Sequence, residues 1–201
     1  MTDFLFQKII QDSQREILKL AKKNGWLWFY NLHQKEVIKC AKKLLKIYKK
    51  ADRKIVLISC WFHDIAHYYA RDGKEIFEIK KNHHIKGAKI AEDFLKSYKL
   101  NKEEILKIKN CVLRHRNKEP YVARSLEEKI VVVADTLSHF ESIFYFTYFK
   151  FSPDDSLEAM VKKDLEKLDR DWHDLGLLPE ARKLAENEYK VFRKLLKNYK
   201  K

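Results

Sequence analysis

The sequence predicts an all-α fold from three observations. There are only four glycines and three prolines in 201 residues, 45% of the chain is apolar against 36% charged, and apolar side chains recur at helical spacing along most of its length. So little turn-forming material argues against a many-stranded β architecture, while mixed apolar and charged faces give each helix one side to bury. The length suits one domain, since domains commonly run ~100–200 residues, so residues 1–201 are read as a single unit.

The elements follow in order. A first helix is expected from Thr2 to Asn24, with Leu5, Ile9, Ile17 and Leu20 on its apolar side and Asn24-Gly25 as its stop. "WLWFY" leads into a second helix from Asn31 to Lys50, whose Val37, Cys40, Ala41, Leu44, Leu45 and Tyr48 share one face and whose first turn carries His33. Asp52 is placed to cap the next, "KIVLISCWFHD", which is apolar nearly all round and therefore central. After a polar loop at Arg71-Asp72-Gly73, Asn82 is expected to cap a helix bearing His83, His84, Ala88, Ala91, Phe94 and Leu95. "NKEE" (101–104) and "SLEE" (125–128) read as capping boxes, the first opening a helix that ends near His115, the second one that runs through "KIVVVADTLSHF". An aromatic helix, Phe140 to Phe151, would cover the core or form a dimer face. Two further helices, about 154–171 and 180–199, form a C-terminal extension (152–201), the last begun by Pro179 in its first turn.

Composition narrows the function classes. Cys40, Cys60 and Cys111 lie far apart with no CxxC pair, which predicts buried reduced thiols and a cytoplasmic setting rather than a disulfide framework or thiolate zinc site. The start lacks a basic segment followed by an apolar run, and the longest clearly apolar run, Ile55 to Phe62, is too short to span a bilayer, so no membrane is expected as partner. A net charge of +14 favours anionic ligands. Because 34 of the 43 basic residues are lysines spread along helices, solvated faces explain most of that charge. The basic C-terminus "LLKNYKK" and the aromatic "FYFTYF" (144–149) leave a metal-stabilised nucleic-acid-binding module as an alternative class.

The chemistry concentrates in "CWFHDIAHYYA", residues 60–70, where His63, Asp64 and His67 interrupt an apolar segment. With His33, the pair His83/His84, His115 and Asp135, they form a set of imidazoles and carboxylates suited to first-row transition metals. Taken singly, His33 would be an exposed or capping histidine and His115 a helix C-terminal one. Asp135, inside "VVVAD", is costly to bury without a cation or hydrogen-bond partner.

In this order the residues resemble the HD-domain superfamily of metal-dependent phosphohydrolases, whose signature H…HD…D reads here as His33, His63-Asp64 and Asp135, over about residues 26–140. "HHIKGAKIAEDFL" and "VLRHR" resemble the segments that supply two more histidines in the dinuclear subset. Spacing back from Gly87 favours His83 over His84, the alternative ligand. The resemblance implies metal ligands His33, His63, Asp64, His83, His115 and Asp135, with Asp64 shared by two divalent transition-metal ions (Mn, Fe, Co, Ni or Zn). It implies water activated by those ions and a small phosphorylated substrate, a nucleotide or another phosphate ester or anhydride. His67 occupies a position that is lysine in many relatives and histidine in some phosphodiesterases, which implies a catalytic contact with phosphate or the leaving oxygen. "HDIAH" also echoes the zinc-peptidase pattern H-E-x-x-H, but that pattern needs a glutamate and leaves His33, His115 and Asp135 unused. The second dipeptide, His173-Asp174, has no following aspartate in a buried run and reads as structural. Lys81, Lys86, Arg114 and Arg116 flank the ligands and read first as surface charges. Di-iron oxygenases of the same superfamily share this ligand type, so metal identity, substrate and oligomeric state stay open at the level of sequence.

Overall fold

A computed structural model gives the fold and describes residues 1–71, 73–147 and 156–199. The described residues form helices and turns with no β-strand. Helix α1 (Asp3–Lys23) starts where Thr2 Oγ1 accepts from the Leu5 amide at 3.2 Å and stops at Asn24-Gly25, where Gly25 takes the left-handed φ of +80° that glycine adopts without strain. Helix α2 (Lys35–Ile47) follows a π-helical turn, Tyr30–Gln34. Asp52 Oδ1 accepts from the amides of Lys54 (2.9 Å) and Ile55 (3.2 Å) to open α3 (Arg53–Phe62), in which every residue from Ile55 to Phe62 is buried. A 3₁₀ segment (Ile65–Tyr69) and α4 (Gly73–Leu95) come next. Both expected capping boxes form, Asn101 with Glu104 opening α5 (Lys102–Arg114) and Ser125 with Glu128 opening α6 (Leu126–Phe140). Helices α7 (Leu157–Leu175), α8 (Pro179–Leu184) and α9 (Glu186–Asn198) complete the described chain.

Helix α3 is the axis of the molecule. It packs against α1, α2, α4, α5 and α6, as its all-round apolar sequence requires. One hydrophobic cluster runs without a break from Phe6 in α1 through this axis to Leu168, Leu175 and Ala181. Gly87 sits where α4 crosses close to the end of α3: a Cβ there would lie 3.4 Å from the carbonyl oxygens of Phe62 and His63 and from Val112 Cγ1, at the tight edge of van der Waals contact.

Several boundaries differ from the sequence reading. The expected helix 31–50 is two pieces, because a wide turn with Lys35 N–H bonded to Tyr30 O precedes α2. His33 and Gln34 both turn inward from it, Gln34 donating to Cys60 O at 2.8 Å. A helical piece bearing His83 does begin after Asn82, whose backbone is non-helical (φ −130°, ψ 18°), but a further piece from Gly73 precedes it, so α4 is two helical pieces joined at a kink. Helix α3 ends at Phe62, so His63 and His67 do not share a face of one α-helix. The final expected helix, 180–199, breaks at Ala185 (φ −107°, ψ 3°), a buried residue between α8 and α9. Helix α6 stops at Phe140 and a 3₁₀ turn follows at Phe144–Phe146; positions 148–151 of the expected aromatic helix, 154–155 of the next one, Asp72, and the last two lysines lie outside the described residues.

Glu128 does more than its capping role. Buried, it accepts from the Arg124 and Ser125 amides (2.6 and 3.2 Å) and from the Arg114 guanidinium (2.8 Å), tying α5 to α6. Glu128→Ala is expected to cost about 2 kcal/mol, a lost cap plus an unpaired part-buried arginine. Equilibrium denaturation checks this, and a loss below ~0.5 kcal/mol, the range of an ordinary surface substitution, would contradict it.

Candidate metal centre

Seven of the eight histidines are buried, and most of them converge on one carboxylate. The π turn delivers His33, the end of α3 delivers His63, and the turn after it delivers Asp64. The bent helix α4 brings His83, the C-terminus of α5 His115, and the middle of α6 Asp135. Asp64 Oδ2 lies 3.5 Å from His33 Nε2 and 3.6 Å from His63 Nε2, while Oδ1 lies 3.3 Å from His83 Nε2 and 3.5 Å from His115 Nε2. Asp135 Oδ1 faces the first pair, 3.2 Å from His33 Nε2 and 3.7 Å from His63 Nε2.

Hydrogen bonds fix which ring nitrogen faces inward. A backbone carbonyl only accepts, so Nδ1 must donate in His63 (to Cys60 O, 2.8 Å), His83 (to Lys80 O, 2.9 Å) and His115 (to Val112 O, 2.7 Å). Ser138 gives its hydroxyl hydrogen to Asp135 O (2.6 Å), leaving its oxygen to accept from His33 Nδ1 at 3.2 Å. Each neutral ring therefore presents an Nε2 lone pair. These meet in pairs, His33 with His63 at 3.2 Å and His83 with His115 at 3.1 Å. Two lone pairs at such separations repel unless a proton or a metal ion sits between them. Donors bound at ~2.0–2.1 Å would stand ~2.9 Å apart at an octahedral edge and ~3.4 Å at a tetrahedral one, so the set fits a divalent transition metal. Groups drawn from these residues, His33-His63-Asp64 and Asp64-His67-His83, have ligand atoms close enough to share an ion.

Electrostatics of the metal-free protein agree. Burial holds His63 down to about 4 and His83 down to about 2, so both rings are neutral near pH 7, the state in which an imidazole can ligate a metal. His33 goes the other way: burial opposes its charge, but hydrogen bonds to Asp135 and Asp64 raise it to about 9. His115 is raised too, against burial, by Asp64. Burial opposes ionisation of Asp64 and Asp135, but the surrounding imidazoles outweigh it and keep both carboxyls well below the ordinary carboxylate range. At pH 7 the metal-free His33 is protonated and must lose that proton to ligate. Metal binding is expected to release about one proton from this residue, with affinity rising from pH 6 towards about 9 and flattening above it. Calorimetry in buffers of different ionisation enthalpy measures it; no net release at pH 7 would contradict the assignment.

The remaining sequence candidates separate cleanly. His67 is buried with Nδ1 3.3 Å from Asp64 Oδ2, its ring 4.4 Å from that of His83, and its Nε2 has no hydrogen-bond partner. His84 turns from Asp64 towards Tyr121, ring centroids 5.5 Å apart. His173 is exposed and Asp174 accepts from Asn117 Nδ2 at 2.9 Å, as a structural pair would. Arg114 is committed to Glu128, Arg116 reaches the Lys80 and Lys81 carbonyls, and Lys81 pairs with Glu78. Sequence reasoning missed His139, whose Nε2 is 3.5 Å from Asp135 Oδ1, and its partners Asp171 and Lys167 on α7. The i,i+4 spacing from Asp135 was a usable signal for His139. Nothing in the sequence connects α7 to α6.

An all-helical bundle with an interior histidine-aspartate cluster able to hold a divalent metal is the class these features define. The HD domain family model matches residues 32–139, over half of the chain, and the chain belongs to the HD domain family, within a superfamily of metal-dependent hydrolases. The matched segment carries all six converging residues. Neither curated proteins nor solved structures give a match.

Proposed function

We propose that this protein is a phosphohydrolase that uses two divalent transition-metal ions to cleave a nucleotide or another small phosphate ester or anhydride. One observation carries the proposal: two pairs of inward-facing imidazole lone pairs stand on opposite oxygens of one buried carboxylate. His33, His63, Asp135 and Asp64 Oδ2 would hold one ion, and His83, His115 and Asp64 Oδ1 the other. When bound, such ions supply a Lewis acid for phosphoryl oxygens and water of lowered pKa.

The protein's own groups do the rest. Asp64 couples the two subsites and holds both ligand pairs in register. The Nδ1–H bonds keep each ring in the ligating tautomer. His67 Nε2, buried beside Asp64 and without a protein partner, is the group placed to hold a proton for the leaving oxygen or to meet a phosphate oxygen. The net charge of +14 favours arrival of an anion. The unbroken hydrophobic cluster supports reading the chain as one unit. Among the described residues no helix is long and apolar enough to cross a membrane, and the three free buried thiols support a cytoplasmic setting.

The test is phosphate release from a panel of nucleotides, cyclic dinucleotides and phosphomonoesters with Mn²⁺ supplied. Turnover of at least one class, lost on chelation, is expected. A metal-loaded protein that turns over none of them would contradict the proposal, and iron content with dioxygen consumption would move the chain to the oxygenase chemistry of its superfamily.

A further inference from the structure

Helix α7 reaches the edge of the cluster through a chain of buried polar groups. His139 Nδ1 stands 3.0 Å from Asp171 Oδ2. Asp171 also accepts from Tyr145 Oη (2.9 Å) and from Lys167 Nζ (3.0 and 3.1 Å), and is itself buried. Lys167 Nζ also stands 3.3 Å from His139 Nδ1, but it is closer to both Asp171 oxygens and donates there, so Nδ1 of His139 donates to Asp171 and Nε2 is left as a lone pair. That lone pair faces Asp135 Oδ1 at 3.5 Å, an oxygen that His33 Nε2 also faces at 3.2 Å, and His33, Asp135 and His139 bring three ligand atoms close enough to share an ion. Acceptor thus faces acceptor in a buried place, as in the His33–His63 and His83–His115 pairs. The separation equals that of His33 and His115 from Asp64, and the His139 ring lies stacked on Phe144 at 3.9 Å, which fixes its direction.

We propose that His139 is a further ligand of the His33–Asp135 metal subsite, oriented by Asp171 on α7. The inference rests on the metal-centre reading above and goes beyond its six ligands. Among the ring nitrogens turned away from the cluster, His139 Nδ1 pairs with a carboxylate where those of His33, His63, His83 and His115 meet a hydroxyl or backbone carbonyl. This carboxylate–histidine–metal arrangement makes the imidazole a stronger donor. Its consequence is asymmetry: five protein donors on one side (His33, His63, Asp64, Asp135, His139) against three on the other (His83, His115, Asp64). An octahedral ion would keep one open position in the first subsite and three in the second. The first ion is then the tightly held one, and the second carries the exchangeable positions.

Cobalt(II) titration of the full chain after metal removal tests this by visible absorption, with circular dichroism as the fold control. The unaltered chain is expected to bind two ions of unequal affinity. His139→Ala should weaken the tighter one at least ~10-fold and shift its d–d bands, and Asp171→Asn should weaken it less, within the ~10–100-fold range of lost outer partners. Unchanged affinity and spectrum in folded His139→Ala would overturn the proposal, and would leave His139 facing substrate instead of metal. If His139→Ala does not fold, His139→Gln decides on the same two readouts. Absence of cobalt binding in the unaltered chain would overturn the metal-centre reading itself, whereas two ions bound equally by both proteins would overturn only the role of His139.

Discussion

Asp64→Ala is expected to abolish metal binding and hydrolysis together while leaving the helical fold in place. The carboxylate is 6% exposed and lies within 3.3–3.6 Å of ring nitrogens from five histidines, with one oxygen turned to each proposed subsite. Its removal takes one donor from each ion and separates the two imidazole pairs electrostatically. Lewis-acid stabilisation by metals is worth several kcal/mol in such reactions, and each 1.36 kcal/mol is tenfold in rate, so activity should fall by about 10³-fold or more. Helix α3 should survive, because its cap is Asp52 and its packing is apolar, and Asp64 lies beyond its end. Normal turnover with full metal content in the variant would remove the basis of the mechanism.

The second large effect is on stability. Six proposed ligands from five separate elements meet at one point, so an ion bound there would join the π turn, the end of α3, α4, α5 and α6 in the folded state alone. Binding at a hundred times Kd stabilises by ~2.7 kcal/mol per ion. For a chain of this size each kcal/mol moves Tm by ~2–4 °C, so stripping two such ions should lower Tm by about 10–20 °C, reversed on adding Mn²⁺. Thermal unfolding with and without a chelator measures it. An unchanged Tm would mean the buried polar cluster holds itself together without ions.

Much of this architecture was legible in the sequence, for identifiable reasons. The capping boxes at Asn101 and Ser125 and the cap at Asp52 are local signals, and local hydrogen bonds decide helix starts. The central place of α3 follows from its having no polar face. The boundaries that failed are those set by tertiary demands. The π turn that carries His33 and Gln34 inward is a local change of helical hydrogen bonding that apolar periodicity does not announce. The helical piece after Asn82 was legible from that asparagine, whereas the additional piece from Gly73 that leads into it was not. In the site, the order His33, His63-Asp64, His83, His115, Asp135 could be read because the family pattern runs along the chain. His139 with Asp171 could not, because α7 joins the cluster through a contact between residues 32 positions apart with no motif to link them.

Elemental analysis of the protein purified without added metal or chelator, set beside Asp64→Ala prepared identically, tests the centre most directly. About two transition-metal ions per chain, falling to near zero in the variant, is the predicted result for a site in which one carboxylate serves both ions. Absence of metal from the unaltered chain even after reconstitution, or equal metal content in both proteins, would contradict it.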